Sequence, residues 1–177
     1  SRAICTQHYS RNSSGPQMAD SATHDSKKRR LQDCNFSTDS QTYILAFGDS
    51  LTAGGFGSTP YPSQLEDMLN EHGQGHSMYK VLNKGLCGES TEQMVERLPE
   101  ELQELQEANI RPAFVLIMGG TNDLGWMSAE QILENLACMR DAVKKVSATP
   151  VSLAIPRDED GIGPVAGAVN EALRAES

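Results

Sequence analysis

Aromatic residues are scarce in this chain: they make up 5% of 177 residues, with a single tryptophan. No apolar run approaches the ~20 residues that a membrane-spanning helix requires, so no transmembrane segment is expected. Cys5, Cys34, Cys87 and Cys138 are scattered, without a Cys-x-x-Cys pair. That spacing excludes the common zinc sites and a disulfide scaffold, and reduced thiols are the expectation. Positive charge is also in deficit, with 15 Lys and Arg against 24 Asp and Glu and a formal charge of −9. A field of that sign does not draw in nucleic acid or anionic lipid. No signal peptide is visible, which makes a cytoplasmic location the default, although the chain begins at Ser1 rather than Met.

Residues 1–40 contain eleven Ser and Thr and few large apolar groups. Such a segment buries too little surface to offset its ordering entropy, so a disordered leader is expected there. Lys27-Lys28-Arg29-Arg30 lies inside it and reads as a solvated charge run ahead of a nuclear address or phosphate patch. The domain proper is expected over residues 41–177.

From Thr42 onward, apolar runs alternate with helical patterns. Tyr43–Phe47, Tyr79–Asn83, Ala113–Met118 and Pro150–Ile155 are short and bounded by Gly, Pro or polar turns, as strands buried on both faces would be. Helices are expected over Tyr61–Glu71, Ser90–Ala108, Ser128–Val146 and Val165–Arg174. Pro99 should break or restart the second. In the third, Ile132, Leu133, Leu136, Met139, Ala142, Val143 and Val146 share a stripe, and Ser128 with Gln131 forms a capping-box pattern. Strand-helix alternation predicts an α/β fold, a three-layer α/β/α sandwich around a parallel sheet. In such sheets the chemistry lies beyond the carboxyl ends of the strands.

Three loops leave those ends. The first, Gly48-Asp49-Ser50-Leu51, puts a serine on a tight turn. A phosphate loop is excluded because no Lys-Ser/Thr pair follows the glycines. The second carries Cys87-Gly88-Glu89-Ser90, where Gly88 permits close backbone approach. Cys87 has no neighbour in sequence to lower its pKa, and a buried structural thiol is expected. The third carries Gly119-Gly120-Thr121-Asn122-Asp123. Asn122 offers a neutral donor, and one such donor is worth roughly 3–4 kcal/mol to an oxyanion. Asp123, like Asp49, suits a supporting role, accepting backbone N–H bonds.

In these three blocks the chain resembles the GDSL, or SGNH, hydrolases over about residues 42–175. The resemblance implies a flavodoxin-like sheet, metal-free and cofactor-free chemistry, and a small-molecule ester as substrate. It assigns Ser50 as nucleophile, and the Ser50 N–H, the Gly88 N–H and the Asn122 carboxamide as oxyanion donors. Members of the family end on an Asp-x-x-His block after a fifth strand. Here Asp160-Gly161-Ile162-Gly163 has glycine at the histidine position and follows the fourth strand directly. The expectation is therefore a sheet of order 2-1-3-4 with the fifth strand, the general-base histidine and its aspartate absent, and an exposed fourth-strand edge. His8 and His24 fall in the leader. His72 and His76 fall at the amino ends of the strands, opposite Ser50.

The activity so implied is ester hydrolysis through an acyl-enzyme on Ser50, nearly silent without the base. Two rivals share the residues: an acyltransferase, and a module that holds an acyl or sugar group without turnover. Trp126, Met127 and Phe56 follow the loops and serve equally as pocket lining or as ordinary packing.

Overall fold

The computed structural model describes residues 40–54, 59–72, 77–156 and 163–176. The expected leader apart from Ser40, the Lys27–Arg30 run, Phe56, His8, His24, His76 and the stretch 157–162 with Asp160 lie outside the described residues.

The strands are β1 (Ser40–Gly48), β2 (Ser77–Gly85), β3 (Pro112–Met118) and β4 (Thr149–Ser152). They form one four-stranded sheet in the order β2-β1-β3-β4, and every pairing is parallel. The helices are α1 (Ser50–Ala53), α2 (Tyr61–His72), α3 (Thr91–Glu107), α4 (Ala129–Lys145) and α5 (Pro164–Ala175). The architecture is the doubly wound α/β arrangement that the alternation requires.

One sheet face carries the main core. Leu45, Phe47, Val115 and Ile117 point into it and meet Met94, Leu98 and Leu102 of α3, Ile132, Leu136 and Met139 of α4, and Val169 of α5. On the other face, Ile44, Ala46 and Val81 are buried beneath Tyr61, Leu65 and Leu69 of α2. Burial on both faces therefore holds for β1 but not for the whole sheet. Phe114 is 41% exposed, because α2 packs on β2 rather than β3.

Helix boundaries follow capping chemistry. The Ser128–Gln131 capping box starts α4, and a second one, Ser90–Gln93, starts α3. Three expectations fail here. Pro99 does not break α3, which runs unbroken through it. Pro99 lies on the exposed side, and burial of Met94, Leu98, Leu102 and Leu105 along the opposite stripe outweighs one missing backbone bond. Val146 does not join the α4 stripe; it is the C-cap and exposed. β4 also ends three residues earlier than the apolar run. Ile155 gives up ladder pairing because Asn170 of α5 satisfies both of its backbone groups, at 2.8 and 2.9 Å. No helix among the described residues is long and apolar enough to cross a membrane.

Candidate active site

The carboxyl ends of β1, β2 and β3 are level. Gly48, the last residue of β1, pairs with Gly85 of β2 and with Met118 of β3. Two residues past Gly48 stands Ser50, three past Gly85 stands Gly88, and four past Met118 stands Asn122. Parallel pairing thus sends all three loops out of one end of the sheet.

Ser50 is the first residue of α1, and Asp49 is its N-cap, accepting from the Leu51 N–H at 2.9 Å. Ser50 is half-buried, and neither its hydroxyl nor its N–H makes a hydrogen bond among the described residues. Gly85 lets this turn sit down on β2: a Cβ there would collide with the Ala53 and Thr52 backbone. The Leu86 N–H donates to the Gly48 carbonyl at 2.9 Å, tying the second loop to the first.

Gly88 is exposed and has φ of +79°, a left-handed backbone that disfavours any residue with a Cβ. Nothing stands within 4 Å of where that Cβ would be, so conformation rather than crowding selects glycine here. Its N–H has no partner among the described residues. Cys87 is exposed as well, which corrects the expectation of a buried thiol. Leu86, Cys87 and Gly88 stand off the sheet end, and burial resumes only at Glu89.

Asn122 Nδ2 donates to the Glu89 carbonyl at 2.9 Å, which joins the third loop to the second. A carboxamide nitrogen carries two hydrogens, so one is left for a ligand. Asp123 is fully buried. It accepts from the Thr91 N–H at 3.1 Å and from the Thr91 hydroxyl at 3.0 Å, fastening the start of α3 to the third loop. Burial pushes the Asp123 carboxyl above the usual range, against the pull of the Thr91 bonds. Burial also raises Asp49, against the Leu51 N–H bond and with the nearby charges of Asp123 and Glu89 adding to the rise.

Met127 and Trp126 separate cleanly. Met127 packs in the core, with its sulfur near the Thr91 hydroxyl. Trp126 is 60% exposed, and its indole N–H donates to the Asn122 carbonyl at 3.0 Å. Leu51 and Leu86 are exposed on the other two loops, so among the described residues each loop presents a large apolar side chain. His72, the one histidine among the described residues, lies in the last turn of α2, its Nδ1 2.9 Å from the Met68 carbonyl. That helix leads into the start of β2, where Ser77 pairs with Ser40, at the end of the sheet opposite Gly48. Among the described residues no cluster of His, Cys, Asp or Glu has the arrangement of a metal site.

The residues that sequence reasoning missed are Glu89 and Arg97. The Arg97 guanidinium holds the Glu89 carboxylate and lies on the Phe47 ring at 4.1 Å. The signal available was a charged residue directly after Gly88 and an arginine on the helix that follows. Neither stands out from ordinary surface charge in a sequence.

This fold, with its serine turn, glycine loop and asparagine loop at one sheet end, is that of an SGNH-type α/β hydrolase. The GDSL-like lipase/acylhydrolase family matches residues 46–176, and the chain belongs to it. Among solved structures, AlinE4, an SGNH-hydrolase family esterase, is 22% identical with a TM-score of 0.65, covering 77% of this chain and 72% of that one. TesA is 29% identical with a TM-score of 0.61, covering 76% of this chain and 74% of its own. The psychrotrophic esterase EstA from Pseudoalteromonas sp. is 22% identical with a TM-score of 0.58, covering 76% and 70%. No curated protein sequence matches the chain.

Proposed function

We propose that this chain carries the nucleophile and oxyanion pocket of a serine esterase that works through an acyl-enzyme. In this reading the Ser50 hydroxyl attacks an ester carbonyl, and the carbonyl oxygen becomes an oxyanion. The N–H groups of Ser50 and Gly88 and the free hydrogen of Asn122 Nδ2 receive that charge. The alkoxide leaves with a proton, and water then releases the acid and restores Ser50. The observation that carries the reading is the joining of the loops: Leu86 to Gly48 at 2.9 Å and Asn122 to Glu89 at 2.9 Å.

A serine hydroxyl needs a base to take its proton. His72 is at the wrong end of the sheet, so the reading assigns proton transfer to a histidine outside the described residues. The substrate is a small ester. Leu51, Leu86 and Trp126, exposed apolar groups on the three loops, favour an ester with apolar groups over a sugar ester. The test is p-nitrophenyl acetate hydrolysis by the full-length protein and its Ser50→Ala variant. Turnover that disappears with Ser50 supports the reading, and turnover that survives the substitution refutes it.

A further inference from the structure

Arg97 lies in α3, and its guanidinium reaches back to the sheet end from which the loops emerge. Nε and Nη2 grip the two Glu89 carboxylate oxygens at 2.7 and 2.5 Å. Nη1 and Nη2 both reach the Lys84 carbonyl at 3.3 Å, and Nη2 reaches the Gly48 carbonyl at 3.4 Å. Nη1 also reaches Glu101 Oε1, one turn on in the same helix, at 3.2 Å. The flat face of the group covers the Phe47 ring. Burial works against the Arg97 charge, but the Glu89 and Glu101 contacts outweigh it and hold the pKa above the ordinary value.

These contacts connect the last residue of β1, the end of β2, the second loop and α3 through one planar group. Glu89 is 6% exposed, and the peptide oxygen of that same residue anchors Asn122. Gly88 precedes it directly. Its N–H has no partner among the described residues, and its side is open. Gly88 thus sits in a short turn whose near end, Leu86, is held by its N–H on the Gly48 carbonyl and whose far end, Glu89, is buried and held by Arg97.

We propose that Arg97 is a positioning residue for the oxyanion pocket. By clamping Glu89 to the ends of β1 and β2, it sets the Gly88 N–H and the Asn122 carboxamide in register with Ser50. This rests on the roles given above to Ser50, Gly88 and Asn122. A lysine would keep the charge but lose the fork: an ammonium cannot grip both carboxylate oxygens in the plane and also reach two carbonyls and stack on a ring. Small misplacement of a catalytic group costs up to about 100-fold in rate without loss of binding.

The experiment compares wild type with Ser50→Ala, Arg97→Lys and Glu101→Gln in the full-length protein. It reads kcat and KM for p-nitrophenyl acetate together with the Gly88 amide signal in a ¹H–¹⁵N spectrum. Glu101→Gln removes the charge that Arg97 Nη1 and Lys84 Nζ share while keeping an acceptor for Arg97 and leaving the Glu89 fork intact, so it controls for the loss of an ion pair. The expected result is that Arg97→Lys lowers kcat about 10- to 100-fold, leaves KM nearly unchanged and shifts the Gly88 amide. Glu101→Gln should leave kcat near wild type. If Ser50→Ala is inactive while Arg97→Lys keeps full kcat, or loses it only in proportion to its unfolded fraction, the positioning role is overturned. If Ser50→Ala stays active, the esterase reading fails first. Should Arg97→Lys not fold, Glu89→Gln loosens the same fork from the other side. The same kcat loss and Gly88 shift are then expected, and their absence overturns the role.

Discussion

The Asn122 side-chain nitrogen and the Glu89 carbonyl oxygen, separated by 33 positions in sequence, lie 2.9 Å apart. That bond makes the second and third loops one unit. It also fixes the orientation of the carboxamide, because one of its two N–H groups is already committed.

Asn122→Ala therefore removes a donor and a tether together. In the full-length protein, kcat for ester hydrolysis should fall about 10²- to 10³-fold, the usual cost of one oxyanion donor. Stability should fall by only about 1 kcal/mol, the net worth of one hydrogen bond. Steady-state kinetics beside a urea melt separates the two effects. A stability loss with unchanged kcat would make Asn122 merely structural.

Asp123→Ala should be the more destabilising change. It leaves the buried Thr91 N–H without an acceptor and strips the Thr91 hydroxyl of its carboxylate partner. An orphaned buried donor costs about 1–3 kcal/mol, and the start of α3 is also released. The urea midpoint should drop accordingly.

Asp49 gives a prediction in pH. Its folded pKa lies above its ordinary value of 3.8, chiefly through burial. Between those two values the folded state holds a proton that the unfolded state has lost. Stability from this group is thus full below the unfolded pKa and declines as pH rises through the folded one. Asp49→Asn keeps an acceptor for the Leu51 N–H and carries no charge. Its melting temperature should exceed wild type at pH 8 and approach it at pH 4. Groups remote from Asp49 cancel in the comparison, and Asp123, whose charge adds to the Asp49 rise, is relieved in the same direction. A pH-independent difference between the two proteins would count against a buried, strained carboxylate.

Pro99→Ala should stabilise the fold. The proline interrupts the backbone ladder of α3 on an exposed face, where alanine adds a hydrogen bond and no clash. Part of the gain is offset by the greater freedom of the unfolded chain, leaving about 1–2 kcal/mol. Thermal melts of the two proteins measure it.

Much of this was legible in the sequence because local rules and tertiary context agree. Buried β1 has to be a near-continuous apolar run, and the Ser128–Gln131 box starts α4 as its pattern requires. Gly88 was singled out through the resemblance of its loop to a family block, and the left-handed backbone there is the physical reason for a glycine. Pro99 was misread because a helix propensity is a local quantity, while the Met94–Leu105 stripe is stabilised by packing that no window of sequence contains. Ile155 was misread for a similar reason: its backbone partner, Asn170, comes from a helix 15 positions later. Arg97 was illegible because its role is a meeting of two strand ends, a loop and a helix, and an arginine in an amphipathic helix looks alike whether it faces water or a carboxylate. Cys87 shows the converse, since only the geometry of the loop tells whether a thiol next to a glycine is covered.

The most direct test of the account is to trap the acyl-enzyme. The full-length protein is mixed with p-nitrophenyl acetate, quenched in acid within the first turnovers, digested, and mapped by mass spectrometry. The account predicts an acetyl group on the peptide containing Ser50, assigned to that residue by fragmentation and missing from Ser50→Ala. Ester turnover with no acyl group on Ser50, or with the label on another residue such as exposed Cys87, would contradict it.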